Sequence, residues 1–482
     1  MTIKSVFRQC RNNNLETIQM KYSAILCGLI LASCATKTDK KEEVQTSSKK
    51  GDVTIMTLDP GHFHAALVQK SMYDQVDKNV FVYGPEGADV TDHLGRIEGF
   101  NTRADNPTNW IEKVYKGDDY LEKMIAEKPG NVMVVSGKND RKMDYIKAAI
   151  DAGIHVYADK PMAIDPEGFK VLEGVFKTAA EKDLLLYDIM TERFEITTIL
   201  QRELSMIPTI FGELIDGTPE EPAITKESVH HFFKYVSGNP LKRPDWFFDT
   251  KQRGEGLNDV STHLVDLVQW EAFPNVTLKK SDVEIVDAKH WTTELSKEMF
   301  NKVTGANEYP DFLKKDLDGD NLKIYCNGSI TYKLKGKHAK TSVIWNFQAP
   351  EGTGDTHYSI MRGTKCDLEI KQGAEEGYKA RLYITVKKGI DVTAFEQHLK
   401  TAVASKIAQK YAGVKLQKLN NTTWTVDIPS EYKIGHEQHF SQVTKNYLKY
   451  LKEGNMPAWE VPNMIVKYYT TSEALKFVNE KN

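Results

Sequence analysis

Short runs of β-branched and apolar residues recur along the first half of the chain: VTIMTL at 53–58, NVFVY at 79–83, NVMVVS at 131–136, IHVYA at 154–158 and LLLYD at 184–188. Each is long enough for a strand buried on both faces and too short for a helix. Between them lie stretches with helical spacing: AALVQKSMY after the first run, RKMDYIKAAIDAG after the third, and a segment opening at Pro166, where proline suits a first turn. Strands separated by such helices predict a parallel sheet covered on both faces, the doubly wound α/β layout. Ligands bind such sheets beyond the carboxyl ends of the strands, so the residues following each run carry the functional weight.

In the second half the period shortens. NLKIYCNGSITYKL (321–334), TSVIWNF (341–347), CDLEIK (366–371) and RLYITV (381–386) read as further strands, and Asn327-Gly328 in the first is a hairpin signal. Residues 391–428 interrupt the series with the helix-like VTAFEQHLKTAVASKIAQKY and the strand-like TTWTVDI, and read as an insertion. A closing helix carries Phe440, Val443, Tyr447 and Leu451 at core spacing, with His436 one turn before Phe440 and His439 beside it.

The richest polar pattern is GEGLNDVSTHLVD at 254–266. At about 100° per residue, Asp259, His263 and Asp266 fall within roughly 60° of one another, while Val260, Leu264, Leu267 and Val268 gather on the adjoining face. A solvated stripe is the plain alternative. Yet Gly254 and Gly256 permit a close turn into the helix, and an imidazole held by a carboxylate one turn away suits general-base work. A metal ligated by Asp259, His263 and Asp266 is the least favoured option, no cysteine spacing suggests zinc, and no metal is expected.

With 482 residues, 40% hydrophobic and 27% charged, the chain is long and apolar enough for two or three cores. A net charge of −3 with both signs interspersed leaves no footprint for a phosphate backbone, which argues against nucleic acid. Met20-Lys21 precede SAILCGLILAS, too short to span a bilayer but of signal-peptide length, and LASC (31–34) resembles the lipobox of bacterial lipoproteins, in which Cys34 receives lipid. The expected order is an upstream extension over 1–19, a signal peptide over 20–33, a charged tether over 34–51 and a folded part from 52. Such a protein meets the membrane through its lipid anchor only, in the cell envelope, on the periplasmic face; an ordinary cleaved signal, or a cytosolic protein with an apolar N-terminal helix, is the alternative. Cys326 and Cys366 remain for the folded part, where an oxidising compartment permits a bridge.

After the first strand comes Asp59-Pro60-Gly61-His62-Phe63-His64. Gly61 lets the backbone approach a pyrophosphate, but Asp59 and His64 stand where a G-x-G-x-x-G fingerprint has its outer glycines. After the second strand Glu86 is the acid available to a ribose hydroxyl, which leans toward NAD over NADP. After the strand ending at Ala158, Lys160 beside the φ-fixing Pro161 can point its ammonium into the crevice. Glu192 and Arg193, beyond LLLYD, reach the same edge.

Asp159-Lys160-Pro161, followed about a hundred residues on by Gly254-x-Gly256-x-x-Asp259-x-x-x-His263-x-x-Asp266, resembles the paired motifs E-K-P and G-G-x-x-x-D-x-G-x-H-x-x-D of the Gfo/Idh/MocA oxidoreductases. The lipobox, the DPGHFH turn and the ending GHEQHF...WEVP resemble a Bacteroidota lipoprotein branch of that family. The resemblance implies a Rossmann dinucleotide-binding domain over 52–190 and an α+β substrate domain over 191–482 with a large open antiparallel sheet, a surface for a homo-oligomer. It implies that Lys160 polarises the substrate oxygen, that His263 takes the hydroxyl proton, and that Asp259 orients His263 or binds a neighbouring hydroxyl. NAD, with NADP as the alternative, would lie on Pro60, Gly61, His62, Phe63, Glu86, Lys160 and Pro161. The departures are Asp159 for Glu, Ser261 for Gly, and the missing fingerprint glycines.

Outside the inner membrane no soluble nicotinamide pool recycles a reduced cofactor, so the cofactor is expected to stay bound and be regenerated within the cycle. Two enzymes fit: one oxidising a hydroxyl of a sugar or glycoside at C3, the other a glycosidase working by transient oxidation. The glycosidase needs an additional acid and base, for which Tyr187, Glu192, His230, His231, His436 and His439 are candidates. Arg193 and Asp266 join the candidate substrate contacts, and Trp246 in RPDWFF is an aromatic suited to stacking on a sugar. A lipid-anchored sugar-binding protein without turnover is the alternative of a different class.

Overall fold

The computed structural model describes residues 53–236 and 239–481; the leader, Cys34 and the tether lie outside them. The buried runs of the first half form β1 (Ile55–Leu58), β2 (Asn79–Gly84), β4 (Val132–Val135), β5 (His155–Asp159) and β6 (Leu186–Ile189), joined by an edge strand β3 (Ile111–Lys116). All pairs are parallel, in the order β3-β2-β1-β4-β5-β6. β3 escaped the hydrophobic pattern because its residues are largely exposed or half-buried, as an edge permits. Helices α1 (His64–Leu67), α2 (Ala88–Thr102), α3 (Tyr120–Glu127), α4 (Lys142–Asp151) and α5 (Pro166–Glu181) flank the sheet. α1 is a single turn where the sequence pattern predicts a longer helix. The chain leaves helical geometry so that Gln69, fully buried, bonds Glu112 at 2.7 Å and receives the Trp110 indole N–H on its carbonyl at 2.6 Å.

Beyond α6 (Ile196–Ser205) the chain builds a ten-stranded sheet. Its strands are β7 (Ile224–Phe233), β10 (Val283–Leu295), β11 (Leu317–Asp318), β12 (Asn321–Leu334), β13 (Lys337–Gln348), β14 (Thr356–Arg362), β15 (Cys366–Lys371), β16 (Arg381–Val386), β17 (Lys415–Lys418) and β18 (Thr423–Asp427), while β8 (Tyr235–Val236) and β9 (Asn239–Pro240) pair separately. Every pair in the large sheet is antiparallel except β13 with β7. Helices α7 (Thr250–Arg253), α8 (Ser261–Ala272), α9 (Lys297–Thr304), α10 (Val392–Ala402) and α11 (Ala408–Lys410) complete this half. The 391–428 segment is built into the sheet edge, β18 on β16 and β17 on β18, with Trp424 packed beside Phe395.

Asn327-Gly328 does not turn the chain. Both residues lie within β12, where Asn327 bonds the carbonyl of Trp291 and the amide of Trp345, and a Cβ on Gly328 would meet Leu257 at 2.8 Å. The hairpin turns instead at Lys335-Gly336, both at positive φ, 50° and 81°. Cys326 and Cys366 are free and buried in separate apolar clusters, so no bridge joins them.

The chain's end returns to its beginning. α12 (His436–Glu453) buries Phe440, Val443, Tyr447 and Leu448 in the same core as β1 and β4, and Tyr447 stacks on Tyr157 of β5 at 4.5 Å. Each such side chain contributes about 1.5–3 kcal/mol by leaving water. α13 (Glu460–Asn479) gives Met464 and Tyr468 to that core and Val466, Ala474 and Leu475 to the core under the large sheet. The two sheets are thereby held at a common cavity.

Candidate active site

A cavity of about 700 Å³ opens beyond the carboxyl ends of β1, β4 and β5, where the loops of the parallel sheet face the large sheet. His62, His64, Asp159 and Lys160 line it from one side; Arg253, Asp259, His230, Trp345, Asp355 and His357 from the other; Glu192, His436 and His439 close it. The glycines before α8 bring the two halves together. Gly254 sits at φ 97°, and a Cβ on Gly256 would lie 2.2 Å from the Cys326 carbonyl of β12, so only glycine lets the turn pass this close to the sheet.

Asp259 is fully engaged. Its Oδ1 accepts from Lys160 Nζ at 3.0 Å and its Oδ2 from Arg253 Nε at 2.8 Å. Burial alone would raise its carboxyl, but Arg253 and then Lys160 hold it well below the usual carboxylate range. The expectation that Asp259 orients His263 is therefore corrected: its oxygens are taken by cations, and His263 Nδ1 is buried without a hydrogen-bond partner among the described residues. Burial, then the Lys160 ammonium, push the His263 imidazole down to about 3, while Glu192 opposes the shift. The ordinary value near 6.5, which would suit a free imidazole base, does not apply here.

Glu192 lines the cavity together with His357, His436 and His439. Against its burial, His357, His263, His436 and His439 hold its carboxyl below the ordinary range. His436 is itself pushed down to about 4, by burial first and then by His64, so this ring is neutral through the physiological range and can accept a proton. Across the cavity Asp355 accepts from His230 Nδ1 at 3.0 Å, from the His231 amide at 3.0 Å and from Lys234, and His230 stacks on Trp345 at 5.0 Å.

Several candidate contacts point elsewhere. Asp266 and Arg193 face each other inside the protein, with Arg193 Nε 2.6 Å from Asp266 Oδ2, Lys467 Nζ 3.0 Å from its Oδ1, and Glu460 and Asp188 completing a buried network. Neither lines the cavity, so both are corrected from substrate contacts to structural ions. Tyr187 spends its hydroxyl on Glu460 at 3.4 Å in the same network, and His231 is buried against Asp355. Trp246 does line the cavity, beside Phe247, whose ring lies under Arg253 at 4.0 Å.

A narrower crevice continues from this cavity past Pro60, Gly61, His62 and Phe63 to Asp89, Arg96, Lys242 and Arg243. This is the place of a dinucleotide in a doubly wound sheet, and the residues fit one with a rearranged cast. Gly61 still lacks a Cβ, Asp59 takes the positive φ of the first fingerprint glycine at 45°, and Arg96, Lys242 and Arg243 supply cations suited to phosphates. Glu86 is not the acid aimed into the crevice: its side chain is 78% exposed and 3.7 Å from Lys116. Asp89, in the first turn of α2, is; its Oδ2 lies 3.0 Å from where a Gly61 Cβ would sit, and burial raises its carboxyl to about 6. The sequence signal for it was an acid five residues past β2 instead of at its end.

A six-stranded parallel sheet followed by a large, mostly antiparallel one, with the cavity between, defines a two-domain oxidoreductase fold. Residues 200–479 match the family described as "Putative oxidoreductase C terminal domain", and the chain belongs to that family. Among solved structures the chain is similar to a "putative oxidoreductase" from Parabacteroides merdae, at 58% identity over 90% of this chain and 99% of that one, with a TM-score of 0.88. It shares its fold with a "putative oxidoreductase" from Thermotoga maritima (12% identity, 89% and 99% covered, TM-score 0.56). A levoglucosan dehydrogenase in complex with NADH and L-sorbose stands equally near (12% identity, 89% and 98% covered, TM-score 0.56). A search of curated proteins found no match.

Proposed function

We propose that this chain is a nicotinamide-dependent oxidoreductase acting on a ring hydroxyl of a sugar or glycoside, with C3 the first position to test. The observation that carries the reading is the convergence of Lys160, from the end of β5, with Asp259 and His263, from the turn and helix across the cavity; Lys160 lies near enough to depress the His263 imidazole. The shared fold with a sugar-bound, NADH-bound dehydrogenase supports the substrate class and cofactor. Asp89 would hold ribose hydroxyls, which favours NAD because a 2′-phosphate would meet its charge, and Arg96, Lys242 and Arg243 would face the phosphates. A bound nicotinamide supplies an acceptor for the hydrogen and electron pair leaving the alcohol carbon.

The chain's own residues do the proton work. Lys160, fixed by Asp259, points a charge at the substrate oxygen and lowers the cost of its negative charge. His263 is neutral when substrate arrives and takes the hydroxyl proton; the Glu192 carboxylate nearby stabilises the imidazolium that results. The aromatic walls Trp345, Phe247 and Trp246 suit the apolar face of a pyranose. Lipidation at Cys34 would place the protein in the envelope, where a retained cofactor must be regenerated on the same chain.

A second reading, the glycosidase acting through transient oxidation, is favoured by one observation: Glu192, His357, His436 and His439 offer more proton-transfer groups than alcohol oxidation needs. One experiment separates the readings. The protein is incubated with glucosides, galactosides and N-acetylated glycosides without added cofactor. A product lighter by two hydrogens supports the oxidase, and released aglycone supports the glycosidase. Absence of NAD(H) and NADP(H) from the denatured protein, with no binding on addition, would overturn both.

A further inference from the structure

The turn after β1 carries two imidazoles at alternate positions, His62 and His64, and both aim Nδ1 at one oxygen of Asp159, at 3.2 and 3.0 Å. Ser136, at the end of β4, donates to the same oxygen at 2.8 Å. One ligand atom from each of His62, His64 and Asp159 lies within 4.8 Å of the others. We propose that these three residues bind a divalent first-row transition-metal ion, whose remaining positions face the cavity and take neighbouring oxygens of a polyhydroxy substrate.

The chemistry of the donors favours an ion over a simple hydrogen-bonded cluster. Two imidazoles and one carboxylate leave adjacent positions of an octahedral ion open, and bonds of about 2.0–2.2 Å at right angles place neighbouring ligand atoms roughly 2.8–3.1 Å apart, close to the 3.2 and 3.0 Å that separate the two imidazole nitrogens from the carboxylate oxygen. The supports are in place too. Ser136 orients the carboxylate, and Lys142, fully buried, donates to the carbonyls of Asp159 and Pro161 at 2.9 and 3.1 Å, fixing the strand end that carries it. His64 is wedged against Phe440 at 4.6 Å, and the His436 ring stands 5.2 Å from it at the cavity wall, a further imidazole within reach of a small shift. His62, His64, Asp159 and His436 all line the cavity, so an ion here has access to substrate. Lys160, the next residue, lines the same cavity, so its ammonium and the ion face one space.

This inference does not rest on the nicotinamide reading, because metal binding is read without turnover. The full chain, stripped with a chelator, is titrated with Mn²⁺, Co²⁺ and Zn²⁺ by calorimetry. The expected result is one equivalent bound, with affinity lowered about 100-fold or more in His62→Ala and in His64→Phe and unchanged in His398→Ala, an exposed histidine on α10. The metal-free variants should melt near the parent. Should His64→Phe fail to fold, Cu²⁺ bound to the parent protein gives an electron paramagnetic resonance spectrum that counts imidazole nitrogens: two or more support the site. No binding at one equivalent, undiminished binding in His62→Ala, or a spectrum without nitrogen couplings overturns the proposal.

Discussion

Asp259 and Asp266 stand seven residues apart, each buried and each paired with two cations, yet they belong to different parts of the molecule. Asp259 holds Lys160 and Arg253 at the cavity wall; Asp266 holds Arg193 and Lys467 in an enclosed network shared with Asp188 and Glu460. Both carboxyls sit far below their usual range, Asp266 because Arg193 and Lys467 outweigh its burial as Arg253 and Lys160 do for Asp259. A perturbed carboxylate is thus no guide to function by itself. What separates the two is whether the partner cation has a free side facing a space that admits a ligand.

Substitutions can sharpen or break that contrast. The largest effect is expected at the proposed proton-transfer pair: His263→Ala should lower kcat/KM by about 10²–10⁴-fold with little change in melting temperature, and Lys160→Met should do at least as much. Retained parent kcat/KM in His263→Ala would remove it from proton transfer. Asp266→Asn should do the reverse, costing about 3–5 kcal/mol in chemical denaturation by leaving Arg193 and Lys467 unbalanced, while kcat of the folded fraction stays near the parent. If Asp266→Asn abolished kcat without loss of stability, the assignment of that pair to structure would fail.

Smaller effects follow in the crevice and in pH dependence. Asp89→Asn should weaken NAD binding by about tenfold, measured by fluorescence titration, because one charge-assisted bond to ribose is lost. In the parent, NAD affinity should fall as pH drops through about 6, where the raised Asp89 carboxyl takes its proton, and Asp89→Asn should flatten that profile. The lowered His263 imidazole stays unprotonated until pH nears 3, so kcat/KM should show no inflection from it near 6.5. The smallest effect is reserved for Glu86→Gln, whose side chain is solvent-exposed; cofactor affinity should hold within twofold or so.

The parallel sheet was legible because its central strands are buried on both faces and read as unbroken apolar runs; β3, at the edge, has no such signature. Lys160 and Asp259 were legible through spacing, and both line one cavity, with His263 on α8 one turn past Asp259. Asp266 was misread for a physical reason: helical periodicity places it beside His263 but says nothing of Arg193 and Lys467, which arrive from β6's end and from α13, 73 and 201 residues away in sequence. Asn327-Gly328 misled because the missing Cβ that lets glycine enter a turn also relieves crowding where a strand passes Leu257. Asp355, His357 and Arg253 could not be found in advance; their roles exist only through the register of β7, β13 and β14 and the turn packed on them.

On the proposed function, hydrogen leaves a sugar carbon for a nicotinamide held by this chain, under the charge of Lys160 and with the proton taken by His263. Methyl glycosides deuterated singly at each ring carbon, mixed with the purified protein and its bound cofactor and quenched within one turnover, test it directly. The predicted result is deuterium on the nicotinamide ring from one carbon only, absent in His263→Ala. Product formed by the parent protein with no deuterium on the cofactor from any position would contradict it.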